Sequence, residues 1–121
     1  MSRTIAILLT AAFGLAATAA NAHPRLQTSN PAAGATLKAA PKDIRMSFSE
    51  ELVPSFTGLE LKNAGGKSIP TGKATLVPGD NKKIVVPIGA RLTAGTYNVA
   101  WHAVSADTHR VSGSYSFKVM R

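Results

Sequence analysis

Three residues of this chain have side chains suited to holding a metal through nitrogen and oxygen: His23, Asp107 and His109. His23 follows Ala20-Asn21-Ala22, the small-x-small pattern of a leader cleavage site. Cutting there would make His23 the first residue, with a free α-amine beside its imidazole. The amine and ring Nδ1 of such a residue close a six-membered chelate on a metal, and a second imidazole would complete a T-shaped set of three nitrogens. That donor set suits a cation preferring tetragonal nitrogen coordination, and copper(II) leads the divalent affinity order. Pro24 reinforces this mode. An ordinary residue there would offer a deprotonated amide nitrogen, and proline has no N–H to lose.

The second imidazole would come from Asp107-Thr108-His109. In an extended tripeptide Asp107 and His109 project to one side, with Cα atoms about 6.5 Å apart, while Thr108 points away. An Asp-x-His tripeptide on a loop is also common as a merely solvated turn, and a His after a cleavage site arises by chance. Together, in an exported cysteine-free β-domain, the two features support each other. His102 is a further imidazole, expected to lie on the strand face opposite Trp101. Its relation to the metal depends on how the chain bends before His109.

The elements that must bring these residues together begin after the leader. Arg3 supplies a positive start, Ile5 to Ala20 an apolar stretch, and residues 1–22 are expected to be removed as a signal peptide. Residues 23–121 then form one domain, exported to a bacterial periplasm. No cysteine is present, so disulfides, thiol catalysis and thiolate metal sites are all excluded. Of the three methionines, Met1 leaves with the leader. Met46 and Met120 sit singly in strand-like runs, where core packing is the expected role and a thioether cluster for Cu(I) is absent.

Lys and Arg number 14 against 6 Asp and Glu, a formal net charge of +8 that loses one when Arg3 is removed. The cations are scattered singly, without an aromatic-interleaved basic stripe, so nucleic acid is not an expected partner. Solvated strand faces account for most of them, and attraction to an anionic envelope surface or an acidic partner protein for the remainder.

Hydrophobic periodicity is close to two, punctuated by Gly and Pro every eight to twelve residues. The pattern predicts strands over 25–29, 44–49, 59–62, 73–77, 83–87, 96–105 and 111–120: seven strands of an all-β, Ig-like sandwich. Turns are expected at Asn30-Pro31, Ala64-Gly65-Gly66, Pro78-Gly79-Asp80-Asn81 and Thr93-Ala94-Gly95. Leu92 to Tyr97 has the form of a tyrosine corner, whose phenol bonds to backbone just upstream. The Ala-, Gly- and Pro-rich stretch 32–42 reads as a connection with little structure of its own.

Four blocks carry a resemblance to the CopC/PcoC family of periplasmic copper-binding proteins, spread over the whole of residues 23–121. They are His23-Pro24-Arg25-Leu26 through Ser29-Asn30-Pro31-Ala32, Met46 to Val53, Leu92 to Trp101, and Val104 to Gly113. The resemblance implies a Greek-key β-sandwich binding one Cu(II) per chain through His23, Asp107 and His109. It also implies an acidic residue that holds the α-amine or a ring N–H, matched by Glu50, with the adjacent Glu51 as the alternative. Some family members carry a Met-rich loop for Cu(I); Asn63 to Asp80 here contains no Met, which points to Cu(II) alone.

The expected function is therefore sequestration or delivery of copper by a monomeric, non-enzymatic periplasmic protein. Its expected partners are the ion itself and, by resemblance, an inner-membrane copper transporter or another periplasmic carrier. Two other classes compete. A histidine-brace copper monooxygenase would need an open coordination position and exposed substrate-binding aromatics, whereas Trp101 and both Tyr fall in core patterns. A metal-free Ig-like interaction module would explain fold and charge but leave the placement of His23 to chance. Ser105, Asp107 and His109 at spacing two cannot form a Ser-His-Asp relay in the required order of contacts, which removes a hydrolase.

Overall fold

A computed structural model describes residues 23–121; the expected leader lies outside the described residues. The domain is a Greek-key β-sandwich, and its strands arise where apolar side chains alternate. In β3 (Asp43–Phe48) the inward residues Ile44, Met46 and Phe48 are each essentially sealed from solvent. In β8 (Gly95–Val104) the inward set is Tyr97, Val99, Trp101 and Ala103, and in β9 (Arg110–Val119) it ends on Phe117 and Val119. Successive side chains of a strand point to opposite faces, so each of these strands buries one face and wets the other.

The remaining strands are β1 (Leu26–Asn30), β2 (Thr36–Leu37), β4 (Gly58–Asn63), β5 (Ser68–Ile69), β6 (Thr75–Val77) and β7 (Asp80–Pro87). One sheet has the order β1-β3-β7-β6 and the other β2-β9-β8-β4-β5. The core lies between them, with Phe48, Leu61, Ile84, Val86, Val99 and Phe117 at its centre. All seven predicted strands are present, with ends shifted by up to three residues. Two short ones are added. β2 lies within the supposed featureless connection, pairing parallel with the end of β9 (Thr36 with Lys118, Leu37 with Val119), and β5 closes a hairpin onto β4. Two-residue strands carry no periodicity of their own, so only the neighbour that pairs with them makes them visible.

The tyrosine corner forms as expected, with the Tyr97 hydroxyl donating to the Thr93 carbonyl at 2.7 Å. Met46 is in the core, but Met120 is half exposed and corrects the packing role expected for it. β9 ends at Val119, whose side chain points inward, so the next residue falls on the outer side. Among the described residues no helix is long and apolar enough to cross a membrane.

Candidate metal centre

The strand register sends His23 and the β8–β9 loop to the same end of the sandwich. β1 pairs with β3 from Leu26 opposite Phe48, and the residues just outside that pair clasp each other. The Arg25 N–H donates to Ser49 Oγ (2.8 Å), and the Ser49 N–H donates to the Arg25 carbonyl (2.9 Å). Pro24 is fully buried while His23 stays exposed, so the proline anchors the chain and leaves the imidazole outside. β8 and β9 pair to their ends at Val104 and Arg110, leaving residues 105–109 as the connecting loop.

Three backbone hydrogen bonds pin that loop, two from residues 51–53 and one across its own base. The Val53 N–H donates to the Val104 carbonyl, the Ala106 N–H to the Glu51 carbonyl and the Ser105 N–H to the His109 carbonyl, at 2.8 to 2.9 Å. The segment after β3 is thus stitched to both the N-terminal strand and the loop. Thr108 adopts a positive φ of 71°, uncommon for a residue with a branched side chain and a place where strain is held by its surroundings. The Asp107-Thr108-His109 tripeptide is therefore a turn, not the extended strand on which its geometry was first drawn. Asp107 and His109 still meet, because the turn folds one onto the other.

Asp107 Oδ2 lies 3.1 Å from His109 Nδ1. That nitrogen is shielded from solvent, and the Asp107 carboxylate is the acidic group beside it. The His23 and His109 rings meet edge to face, with centroids 4.8 Å apart and planes at 83°. On its other oxygen, Asp107 accepts a hydrogen bond from the hydroxyl of Ser105, itself only 1% exposed. The Asp107 carboxyl is held below the ordinary carboxylate range, first by the Ser105 hydroxyl, with desolvation opposing and His109 adding to the lowering. Asp107 is thus a fixed carboxylate.

Ser105 is the residue that sequence reading missed, since it was weighed there only as a nucleophile and set aside. The available signal was its position two residues before an Asp at the end of a buried strand. Behind the loop, Trp101 stacks edge-on against Phe48 at 5.4 Å. Gly113, opposite Trp101 on β9, makes room for the indole: a Cβ there would come within 2.5 Å of the ring.

Of the other sequence candidates, Glu50 is half-buried between Ser49 and the loop-pinning segment, while Glu51 is exposed and contributes its carbonyl to Ala106. His102 stands on the outer face of β8 opposite Gly58 and Ser112, away from the inward row of Trp101 and Ala103. Among the described residues no three His, Asp or Glu side chains already surround one point at metal-holding spacing. In the 121-residue chain the His23 nitrogen is joined to Ala22 and is an amide, so it offers no free α-amine. The donor types nonetheless fit a nitrogen-preferring ion: two imidazoles in contact and an ionised carboxylate beside one of them.

The family model of the CopC domain matches residues 26–120. The "Copper resistance protein C" of Pseudomonas syringae pv. tomato is 43% identical over 124 residues, covering 98% of each chain. The "Copper transport protein CutJ" of Bacillus subtilis is 30% identical over 98 residues, covering 81% of this chain and 18% of that protein. Among solved structures, PcoC of Escherichia coli, titled a methionine-rich copper resistance protein, is 38% identical with a TM-score of 0.72. The match covers 81% of this chain and 99% of PcoC.

Proposed function

Because the chain belongs to the CopC family of copper resistance proteins, we propose that it binds one Cu(II) ion at the end of the sandwich where His23 meets His109, and that it sequesters or delivers copper in the periplasm. The observation that carries this reading is the edge-to-face contact of those two rings, with Asp107 held against His109. Residues 84 or more positions apart in the sequence are brought into one small patch, and all three are potential donors.

In this reading His23 contributes its α-amine and ring Nδ1 once the bond to Ala22 is cut, His109 one ring nitrogen, and Asp107 a carboxylate oxygen. Glu50 would hold the amine or a ring N–H. The ligands move into place by side-chain rotation, since the backbone on both sides is fixed by hydrogen bonds. The amine and both imidazoles must lose protons before binding, so protons compete with copper for the site.

Cu(II) rather than Cu(I) is supported by the placement of the methionines. Met46 is in the core and Met120 is at the opposite end, so among the described residues no thioether lies near His23 or His109. A binding role rather than catalysis is supported by the resistance and transport names of the relatives. The ion passes to or from a membrane transporter or another carrier, with the protein acting as a monomer.

The test is Cu(II) titration with electron paramagnetic resonance on protein beginning at His23, beside a variant with one residue added in front. One-to-one binding with a nitrogen-rich tetragonal signal, lost in the extended variant, is expected. Equal or absent binding in both would overturn the proposed site.

A further inference from the structure

At the strand ends far from His23, the segment before β3, the β7–β8 connection and the end of β9 enclose a groove of about 790 Å³. Its cations are Lys38, Lys42, Arg91 and Arg121; all four are exposed, and no carboxylate side chain lines it. None of the four forms an ion pair with a described residue. Asp43, the carboxylate nearest in sequence, is engaged by Arg45 at 3.4 Å. The floor is apolar, formed by Ile88 and the buried Leu92, and Met120 stands at the rim half exposed.

The acids are distributed in the opposite sense. Of the six in the chain, Glu50, Glu51 and Asp107 lie at the His23 end, as does Asp80, whose neighbour Asn81 accepts a hydrogen bond from the Leu52 N–H. The length of β8 separates the two ends by about 30 Å. Those acids are matched there by Arg25, Lys82, Lys83 and Arg110, whereas the cations gathered around the apolar hollow face no carboxylate side chain. Like charges left unpaired in a concave site repel one another, and an anionic partner relieves that repulsion while covering the apolar floor.

We propose that this groove docks an acidic segment of another protein, one that places an apolar side chain on the Ile88–Leu92 floor between carboxylates facing Lys38, Lys42, Arg91 and Arg121. Nucleic acid fits poorly, because no aromatic side chain lines the groove to stack a base. A bilayer fits poorly too, because the apolar surface is recessed and a membrane-binding face projects. Docking here leaves the His23 end free, so copper and partner are held at once.

The test is a nuclear magnetic resonance titration of the purified protein with a synthetic peptide in which a Leu-Phe pair is flanked by glutamates. Matched peptides carry Gln for Glu, or Gly-Gly for the apolar pair. The expected result is perturbation of the Arg91, Leu92 and Met120 amide signals by the first peptide and by neither control. The doublet Lys42→Glu with Arg91→Glu weakens binding about tenfold or more, and Met120→Ser weakens it severalfold. The doublet Lys73→Glu with Lys82→Glu, which makes the same charge change outside the groove, binds as the parent does. Circular dichroism melting verifies that each variant is folded. Equal weakening by both doublets, binding of the glutamine peptide as tight as that of the parent peptide, or capture by phosphatidylglycerol vesicles without peptide binding would each overturn the proposal.

Discussion

The buried hydroxyl of Ser105 donates to the carboxylate of Asp107, and that carboxylate in turn lies 3.1 Å from Nδ1 of His109. Three side chains at alternate positions of one loop thereby form a relay of orientation, in which the innermost and least reactive member sets the direction of the outermost. Ser105→Ala is expected to weaken Cu(II) binding about tenfold, in the range found when a ligand loses its supporting hydrogen bond. It is also expected to cost about 1 kcal/mol of stability. A competition titration against a chelator of known affinity, with a thermal melt alongside, separates the two effects; unchanged copper affinity would remove Ser105 from the site.

The pH dependence follows from the sign of the Asp107 shift. Its carboxyl is depressed in the folded protein, chiefly by the Ser105 hydroxyl. The stability this contributes is fully present above the ordinary carboxylate pKa of about 3.9 and is lost as pH falls through the lower folded value. Asp107 therefore stays ionised from pH 7 to 5. In the proposed site, copper release over that interval would belong to the nitrogen donors, which must lose their protons to bind. Cu(II) affinity is expected to fall steeply as pH drops from 7 to 5, and to fall in Asp107→Asn as well, whose binding is weaker throughout. A flat affinity from pH 7 to 5 would count against the nitrogen set.

The three histidines separate cleanly by position. If the proposed site is right, His23→Ala and His109→Ala lower Cu(II) affinity by on the order of a hundredfold or more, because each removes a nitrogen donor. His102→Ala, on the outer face opposite Gly58, is expected to bind as the parent does. Quenching of Trp101 fluorescence by Cu(II) offers a direct readout, as this is the one tryptophan in the chain.

Gly113 and Trp101 form a matched pair across β8 and β9. Gly113→Ala would push a methyl to 2.5 Å from Trp101 Cζ2 and 2.8 Å from Cε2. A loss of about 1 to 3 kcal/mol is expected in urea unfolding, the usual cost of overpacking. Adding Trp101→Leu should recover part of it through coupling of the two sites, and strict additivity would show that the strain lies elsewhere.

Tyr97→Phe removes the 2.7 Å bond to the Thr93 carbonyl at the end far from His23. The expected result is a loss of about 1 kcal/mol in stability with Cu(II) affinity unchanged. A parallel fall in affinity would mean that the corner shapes the metal end through the sheet.

Much of this protein is legible along the chain. Alternation in Ile44, Met46 and Phe48, and in Tyr97, Val99 and Trp101, reveals strands because a half-buried strand must repeat every second residue. The tyrosine corner is equally local: four residues separate Tyr97 from its acceptor. Met120 was misjudged because alternation does not say where a strand ends, and β2 escaped notice because its only support is β9, far along the chain.

The sequence by itself determined the donor chemistry: no thiols, three histidines, an Asp-x-His, and a leader cleavage pattern ending just before His23. Tertiary structure decided the rest. Which histidine stands beside His109 depends on the pairing of β1 with β3 and on the backbone stitches through Val53, Ala106 and Ser49, all long-range. That the tripeptide is a turn held by a buried serine, and that four cations share one groove, are likewise consequences of register. Register is fixed by which faces can be buried together, a property of pairs of strands that no single segment contains.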